Sequence, residues 1–132
     1  MQFNDMNHLS LITTGKRRLL IFEDENSMQT ILSEAFMPDK FDLEFVSKQT
    51  IGVDEFSRPE LILLDYNSAP LPSGENLCKK IKTIFPRVPL VVISAYPLNN
   101  LGAYNTYMDI FIAKPFDLDY FLNCVESCLS LG

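Results

Sequence analysis

The stretch Leu61-Ile62-Leu63-Leu64-Asp65-Tyr66-Asn67-Ser68-Ala69-Pro70 sets four consecutive aliphatic residues directly before an acid, then a polar loop ending in proline. An unbroken apolar run of this length is the form of a strand covered on both faces, as in a parallel sheet. Leu19-Leu20-Ile21-Phe22, Leu90-Val91-Val92-Ile93 and Ile110-Phe111-Ile112-Ala113 repeat the form. Asp42-Leu43-Glu44-Phe45-Val46 alternates instead, which predicts an edge strand with one wetter face.

Between these runs the apolar spacing changes from two to about 3.6 residues. Met28, Ile31, Leu32, Ala35 and Phe36 form one helical stripe, with Asn26 or Ser27 as cap and Pro38 as stop. Leu77, Cys78, Ile81, Ile84 and Phe85 form a second, with Lys79, Lys80 and Lys82 outside it and Pro86 at its end. Leu118, Phe121, Leu122, Val125 and Leu129 form a third, capped by Asp117. Thr50 to Phe56 reads as a short helix, and Leu98 to Tyr104 as another, interrupted by Asn99, Asn100 and Gly102. Strand and helix alternating in this way predict an α/β fold: a doubly wound five-stranded parallel sheet with helices on both faces and right-handed crossovers.

The chain has 132 residues, 47% of them hydrophobic, enough to fill the core of one compact domain. Residues 1–15 carry no sustained period and read as a flexible or loosely docked N-terminal arm; residues 16–132 form the domain. Eleven Lys and Arg against 17 Asp and Glu give a net charge of −6, the wrong sign for direct nucleic-acid binding. The apolar runs are far shorter than a membrane span and no signal peptide is apparent, so a cytoplasmic protein is expected. Cys78, Cys124 and Cys128 lack metal-type spacing and read as buried or half-buried free thiols. His8 stands without a partner at ligand spacing.

Asp65 follows one apolar run, Ser94 another and Lys114 a third, while Glu23-Asp24 follows the first. All strand C-termini of a parallel sheet share one edge, the edge at which open α/β sheets bind ligands. Taken singly, each residue is explained by a turn, a cap or solvation. Together, three carboxylates facing one amine and one hydroxyl repel each other unless a cation sits among them. Phosphoryl transfer to a carboxylate uses such a set. Glu23 and Asp24 can hold a hard divalent ion, Asp65 is the nucleophile, Lys114 neutralises phosphoryl charge and Ser94 donates a hydrogen bond.

The motifs "IFEDEN", "LILLDYNSAP", "VVISAY" and "IAKPF", in that order, resemble the receiver domain of two-component response regulators over roughly Arg17 to the C-terminus. The resemblance implies the flavodoxin-like strand order 2-1-3-4-5. It also implies a phosphoacceptor signalling domain rather than an enzyme, with self-catalysed phosphotransfer and autodephosphorylation only. By the match, Asp65 is the phosphoacceptor, Glu23 and Asp24 the acidic pair, and Asn67 the source of a backbone carbonyl to Mg²⁺ or Mn²⁺. Ser94 and Phe111 are the switch pair, Lys114 is the family's lysine, and Lys114-Pro115 matches a frequently cis peptide. Asn67 and Tyr96 fall where phosphate lifetime is set, Tyr96 by shielding the phosphoryl group from water. The implied partners are a histidine kinase or histidine phosphotransfer protein, an output protein, and a second copy through the fourth helix, fifth strand and fifth helix.

The chain also departs from the family pattern. Glu23 stands where Asp is usual, and Pro70 and Gly74 lie one residue farther from Asp65 than the usual spacing. Tyr107 and Met108 replace a Gly-Ala pair, and the fourth helix is short. With no output domain after the last helix, docking on a partner or relaying phosphate is expected. The alternatives are a phosphorylation-independent receiver-like adaptor and, last, an Mg-dependent aspartyl-phosphate phosphatase. The latter type carries a second Asp two residues after its nucleophile, where this chain has Asn67.

Overall fold

The structure, a computed structural model, describes residues 15–23, 25–47, 58–66, 73–95 and 107–131. Its elements run β1 (Arg17–Phe22), α1 (Asn26–Ala35), β2 (Phe41–Val46), β3 (Leu61–Tyr66), α2 (Ser73–Ile84), β4 (Leu90–Ser94), β5 (Ile110–Ala113) and α3 (Leu118–Leu131). The strands form one parallel sheet in the order β2-β1-β3-β4-β5, the order that the resemblance implied. The segments Thr50 to Phe56 and Leu98 to Tyr104, expected to be helical, and residues 1–14 of the arm lie outside the described residues.

Side chains alternate across a strand, so an apolar run feeds two cores at once. Leu19, Ile21, Leu61, Leu63, Val91 and Ile93 enter one buried cluster together with Leu32 of α1 and Phe121 and Val125 of α3. Their neighbours Leu20, Phe22, Ile62, Leu64, Leu90 and Val92 enter the other, with Cys78 and Ile81 of α2. Helices therefore cover both faces, α1 and α3 on one and α2 on the other. Phe36 anchors the first cluster edge-to-face, its ring centroid 4.9 Å from Phe41 and 5.7 Å from Phe121. Burying each such side chain stabilises the fold by about 1.5–3 kcal/mol.

Several local expectations are corrected. The cap of α1 is neither Asn26 nor Ser27. Both lie within the helix, and Glu25 occupies the cap position in an extended conformation without a side-chain cap bond. The backbone N–H of Glu25 instead donates to Glu23 Oε2 at 2.9 Å, so the acid at the end of β1 fixes the helix start. Each helical stripe has one exposed member: Ile31 is 47% exposed, Ile84 42% and Leu118 41%. Ile84 ends α2 and Leu118 begins α3, where little packs over a helix end, and Ile31 sits at the margin of its stripe. Lys82, expected outside its stripe, is half-buried; its ammonium donates to Val88 O at 2.8 Å and meets Asp109 Oδ2 at 3.3 Å. The run Ile110–Ala113, read as covered on both faces, is the second edge strand, and only Ile112 in it is buried.

Other expectations hold. β2 is an edge strand whose residues beyond Phe41 are half-buried or exposed. Asp117 caps α3 by accepting the N–H of Tyr120 at 3.0 Å. All three cysteines are free, Cys78 and Cys128 buried and Cys124 half-buried. Among the described residues no helix is long and apolar enough to cross a membrane.

Candidate functional site

Strand register assembles the predicted site. Phe22 pairs with Leu64, so the next residues along, Glu23 and Asp65, follow side by side on neighbouring strands. Asp65 pairs with Ile93 and Tyr66 with Ser94, which brings Ser94 to the same edge. Ser94 pairs in turn with Ala113, and the N–H of Lys114 donates to Ser94 O at 2.8 Å. β3 is the central strand and is buried throughout, so a polar group at its end is enclosed unless a ligand reaches it.

Among the described residues, the buried polar or charged side chains are Glu23, Asp65 and Ser94. All three belong to the predicted set. Lys114 Nζ lies 2.7 Å from Asp65 Oδ1, with the Lys114 side chain 18% exposed and that of Asp65 1%. The contact is an ion pair rather than a directed hydrogen bond, and Asp65 Oδ2 is buried without a hydrogen bond from a described residue. Two buried carboxylates converge at this edge beside Lys114, a concentration of negative charge that suits a cation.

Glu23 is held by groups that sequence reading missed. Besides accepting the Glu25 N–H, it has its backbone oxygen bonded by Gln29 Nε2 at 2.8 Å, from one turn into α1. The backbone N–H of Glu23 donates to Val46 O at 3.2 Å, continuing the β1–β2 ladder. Gln29 falls within the α1 pattern but off its apolar stripe, the only trace of its role in the sequence. Phe111 is half-buried and packs against the cluster of Leu20, Phe22 and Val92. The peptide Lys114-Pro115 is cis. Asp24, Asn67 and Tyr96 lie outside the described residues.

The residues present suit a small hard cation. Mg²⁺ is commonly held by one or two carboxylates, with water and phosphate oxygens completing its shell. Glu23 and Asp65 supply two buried carboxylates, and neither oxygen of Asp65 accepts a hydrogen bond from a described residue. The described residues contain no group of three or more ligating side chains, so an all-protein cage is not what they offer.

An open α/β sheet whose C-terminal edge encloses two acids, one of them paired with a lysine, and a serine has its polar groups where such sheets bind ligands. The fold is that of response-regulator receiver domains. The receiver domain of sensor histidine kinase PA1611 from Pseudomonas aeruginosa PAO1 superposes with a TM-score of 0.69 at 22% identity, covering 87% of this chain and 98% of that one. That structure holds a magnesium ion coordinated in its active-site cleft. The response regulator TrrA from Thermotoga maritima, in complex with Mg²⁺-BeF, superposes with a TM-score of 0.70 at 18% identity, covering 85% of this chain and 98% of its own. In sequence, the chain is 26% identical over 127 residues to the regulatory protein AtoC of Escherichia coli (strain K12). The match takes in 89% of this chain but only 26% of AtoC, so the chain spans about a quarter of that relative. No family model matches.

Proposed function

We propose that the chain is a phosphoacceptor receiver of two-component signalling, in which Asp65 takes a phosphoryl group from a histidine kinase or histidine phosphotransfer protein. One observation carries this reading: the buried polar groups of the described residues are Glu23, Asp65 and Ser94, and Asp65 is already paired with Lys114. Burying two acids at one sheet edge costs stability, and ionisable groups buried at such a cost cluster at functional sites.

In the proposed reaction an Asp65 carboxylate oxygen attacks the donor phosphorus. The new oxygen–phosphorus bond forms as the bond to the donor nitrogen or oxygen breaks, and the donor leaves with the electron pair and takes up a proton. Lys114 stays close to the equatorial oxygens and Ser94 donates a hydrogen bond to them. Glu23, Asp24 and the Asn67 carbonyl, with Asp65, hold Mg²⁺, which when bound supplies charge neutralisation of the phosphoryl oxygens. Magnesium in the active-site cleft of the PA1611 receiver domain, and in the Mg²⁺-BeF complex of TrrA, supports that choice of ion. Reversal is hydrolysis: water attacks phosphorus, inorganic phosphate leaves, and the carboxylate returns. Tyr96 limits that water's access. Ser94 drawn toward the phosphoryl group opens space into which Phe111 turns, and that shift changes the surface read by an output protein.

The test is incubation with Mg²⁺ and acetyl phosphate followed by intact-mass measurement. The expected result is one added phosphoryl group on the parent chain and none on Asp65→Asn. An unmodified parent chain, or equal modification of Asp65→Asn, would overturn the proposal.

A further inference from the structure

At the opposite edge of the sheet, where strands begin, two clefts adjoin. One, of about 500 Å³, is walled by Pro59, Ile84, Phe85 and Val88 and rimmed by Arg58 and Arg87. The other, of about 210 Å³, continues from Pro59, Arg87 and Val88 to Leu129. We propose that this groove is a docking site for an extended acidic segment of a partner protein, with carboxylates on Arg58 and Arg87 and an apolar side chain against Ile84, Phe85 and Val88. It lies about 20 Å along β3 from Asp65 and is independent of the phosphoacceptor reading.

Charge complementarity selects the occupant. Arg58 and Arg87 are exposed and take part in none of the described ion pairs. The described acids nearby are already engaged: Glu60, which lines the smaller cleft together with Arg17, is bound by that arginine at 2.6 Å, and Asp109 by Lys82 at 3.3 Å and by the Leu90 N–H at 2.8 Å. Neither is left to neutralise the rim. The chain as a whole carries −6, so an acidic segment is repelled over most of the surface and attracted at this groove. Guanidinium groups suit carboxylates because their planar fork can engage both oxygens.

Shape favours a chain over a free ion. The groove runs from Ile84 at the end of α2 to Leu129 near the end of α3; the larger cleft has apolar walls between Arg58 and Arg87, and the smaller adds the Arg17–Glu60 pair. A lone phosphate or carboxylate gains nothing from such walls, whereas an acidic peptide with a leucine or phenylalanine buries that side chain there. Ile84, 42% exposed despite its place in an apolar stripe, is the surface such a residue would cover.

The probe is the peptide Ac-EDLFDE-NH2, titrated into the ¹⁵N-labelled full chain and followed by amide shifts, with Ac-KKLFKK-NH2, inorganic phosphate and a single-stranded oligonucleotide as controls. Expected are shifts clustered at Arg58, Ile84, Val88 and Leu129 with the acidic peptide alone. Binding should fall at least tenfold in the Arg58→Glu, Arg87→Glu double variant. Should that variant fail to fold, Arg58→Gln with Arg87→Gln, and the loss of affinity on adding salt in the parent chain, give the same reading. Asp65→Asn should bind the peptide as the parent does. Absent shifts, shifts elsewhere, or equal response to phosphate, to the oligonucleotide or to the basic peptide would overturn the inference.

Discussion

Lys114 Nζ and Asp65 Oδ1 lie 2.7 Å apart at the ends of β5 and β3, two strands separated by β4, and the two partners are unequally buried. The carboxylate is enclosed, while the ammonium retains contact with water. Removing either one therefore has different consequences. Lys114→Met leaves an uncompensated buried carboxylate next to Glu23 and should cost about 3 kcal/mol. Asp65→Asn leaves an amine that can reach solvent and should change stability by no more than about 1 kcal/mol. The double variant should recover most of the Lys114→Met loss. Urea unfolding followed by far-ultraviolet circular dichroism checks all three, since the chain has no Trp to report by fluorescence. Equal costs for the two single variants would contradict the asymmetry.

Glu23 has two jobs that one substitution can separate. Its Oε2 receives the Glu25 N–H at 2.9 Å and so holds the start of α1, while its charge is proposed to hold Mg²⁺. Glu23→Gln keeps an oxygen acceptor and loses the charge. In EDTA the variant should melt close to the parent chain. With Mg²⁺ at about 100 times the parent Kd, the parent gains about 2.7 kcal/mol, and a tenfold weaker variant about 1.4 kcal/mol. Thermal unfolding with and without MgCl2 measures both, and an identical magnesium gain in the two proteins would rule out a role for the Glu23 charge.

The sheet was legible because a strand buried on both faces needs no partner information to be recognised: Leu61 to Leu64 is apolar at every position and supplies both clusters. The site was legible for a related reason, since parallel topology alone brings the residues after β1, β3, β4 and β5 to one edge. Contacts that depend on how far a covering layer extends left no such pattern. Ile31, Ile84 and Leu118 satisfy helical spacing yet are exposed, because spacing gives a face and not the width of what packs on it. Asp109, which binds both the Leu90 N–H and Lys82 across the sheet, has no local signal in the sequence. The cap of α1 was misread because Glu25 takes the extended cap position, its own N–H held by Glu23 two residues upstream, so that Asn26 and Ser27 fall inside the helix.

Asp117 is a simpler case, in which spacing and structure agree. Its Oδ2 accepts the Tyr120 N–H, satisfying one of the donors left unpaired at a helix start. Asp117→Ala should cost about 1 kcal/mol, and Asp117→Asn only a few tenths. Because α3 supplies Phe121 and Val125 to the core, the loss should appear in global unfolding rather than as local fraying. A shift in urea midpoint that is the same for both variants would remove the capping assignment.

Cys128 should make stability depend on alkaline pH. Burial pushes its thiol above the ordinary range, and the negative charge of Asp109 and then Cys124 add to the rise. The native state thus holds this proton more tightly than the unfolded chain, whose thiol titrates near 8.5. The resulting stabilisation is complete below that value and is lost as pH rises through the higher native value. Comparing urea midpoints of the parent and Cys128→Ala from pH 7 to pH 10 in reductant isolates the effect, since other titrating groups are common to both. The parent should lose stability more steeply above about pH 8.5. Asp109→Asn should reduce the difference only in part, because burial is the larger cause. Alkylation gives a second readout: iodoacetamide at pH 8 should modify half-buried Cys124 before Cys128. Parallel pH profiles for parent and Cys128→Ala, together with equal alkylation rates at the two thiols, would mean that Cys128 is not held protonated by its surroundings.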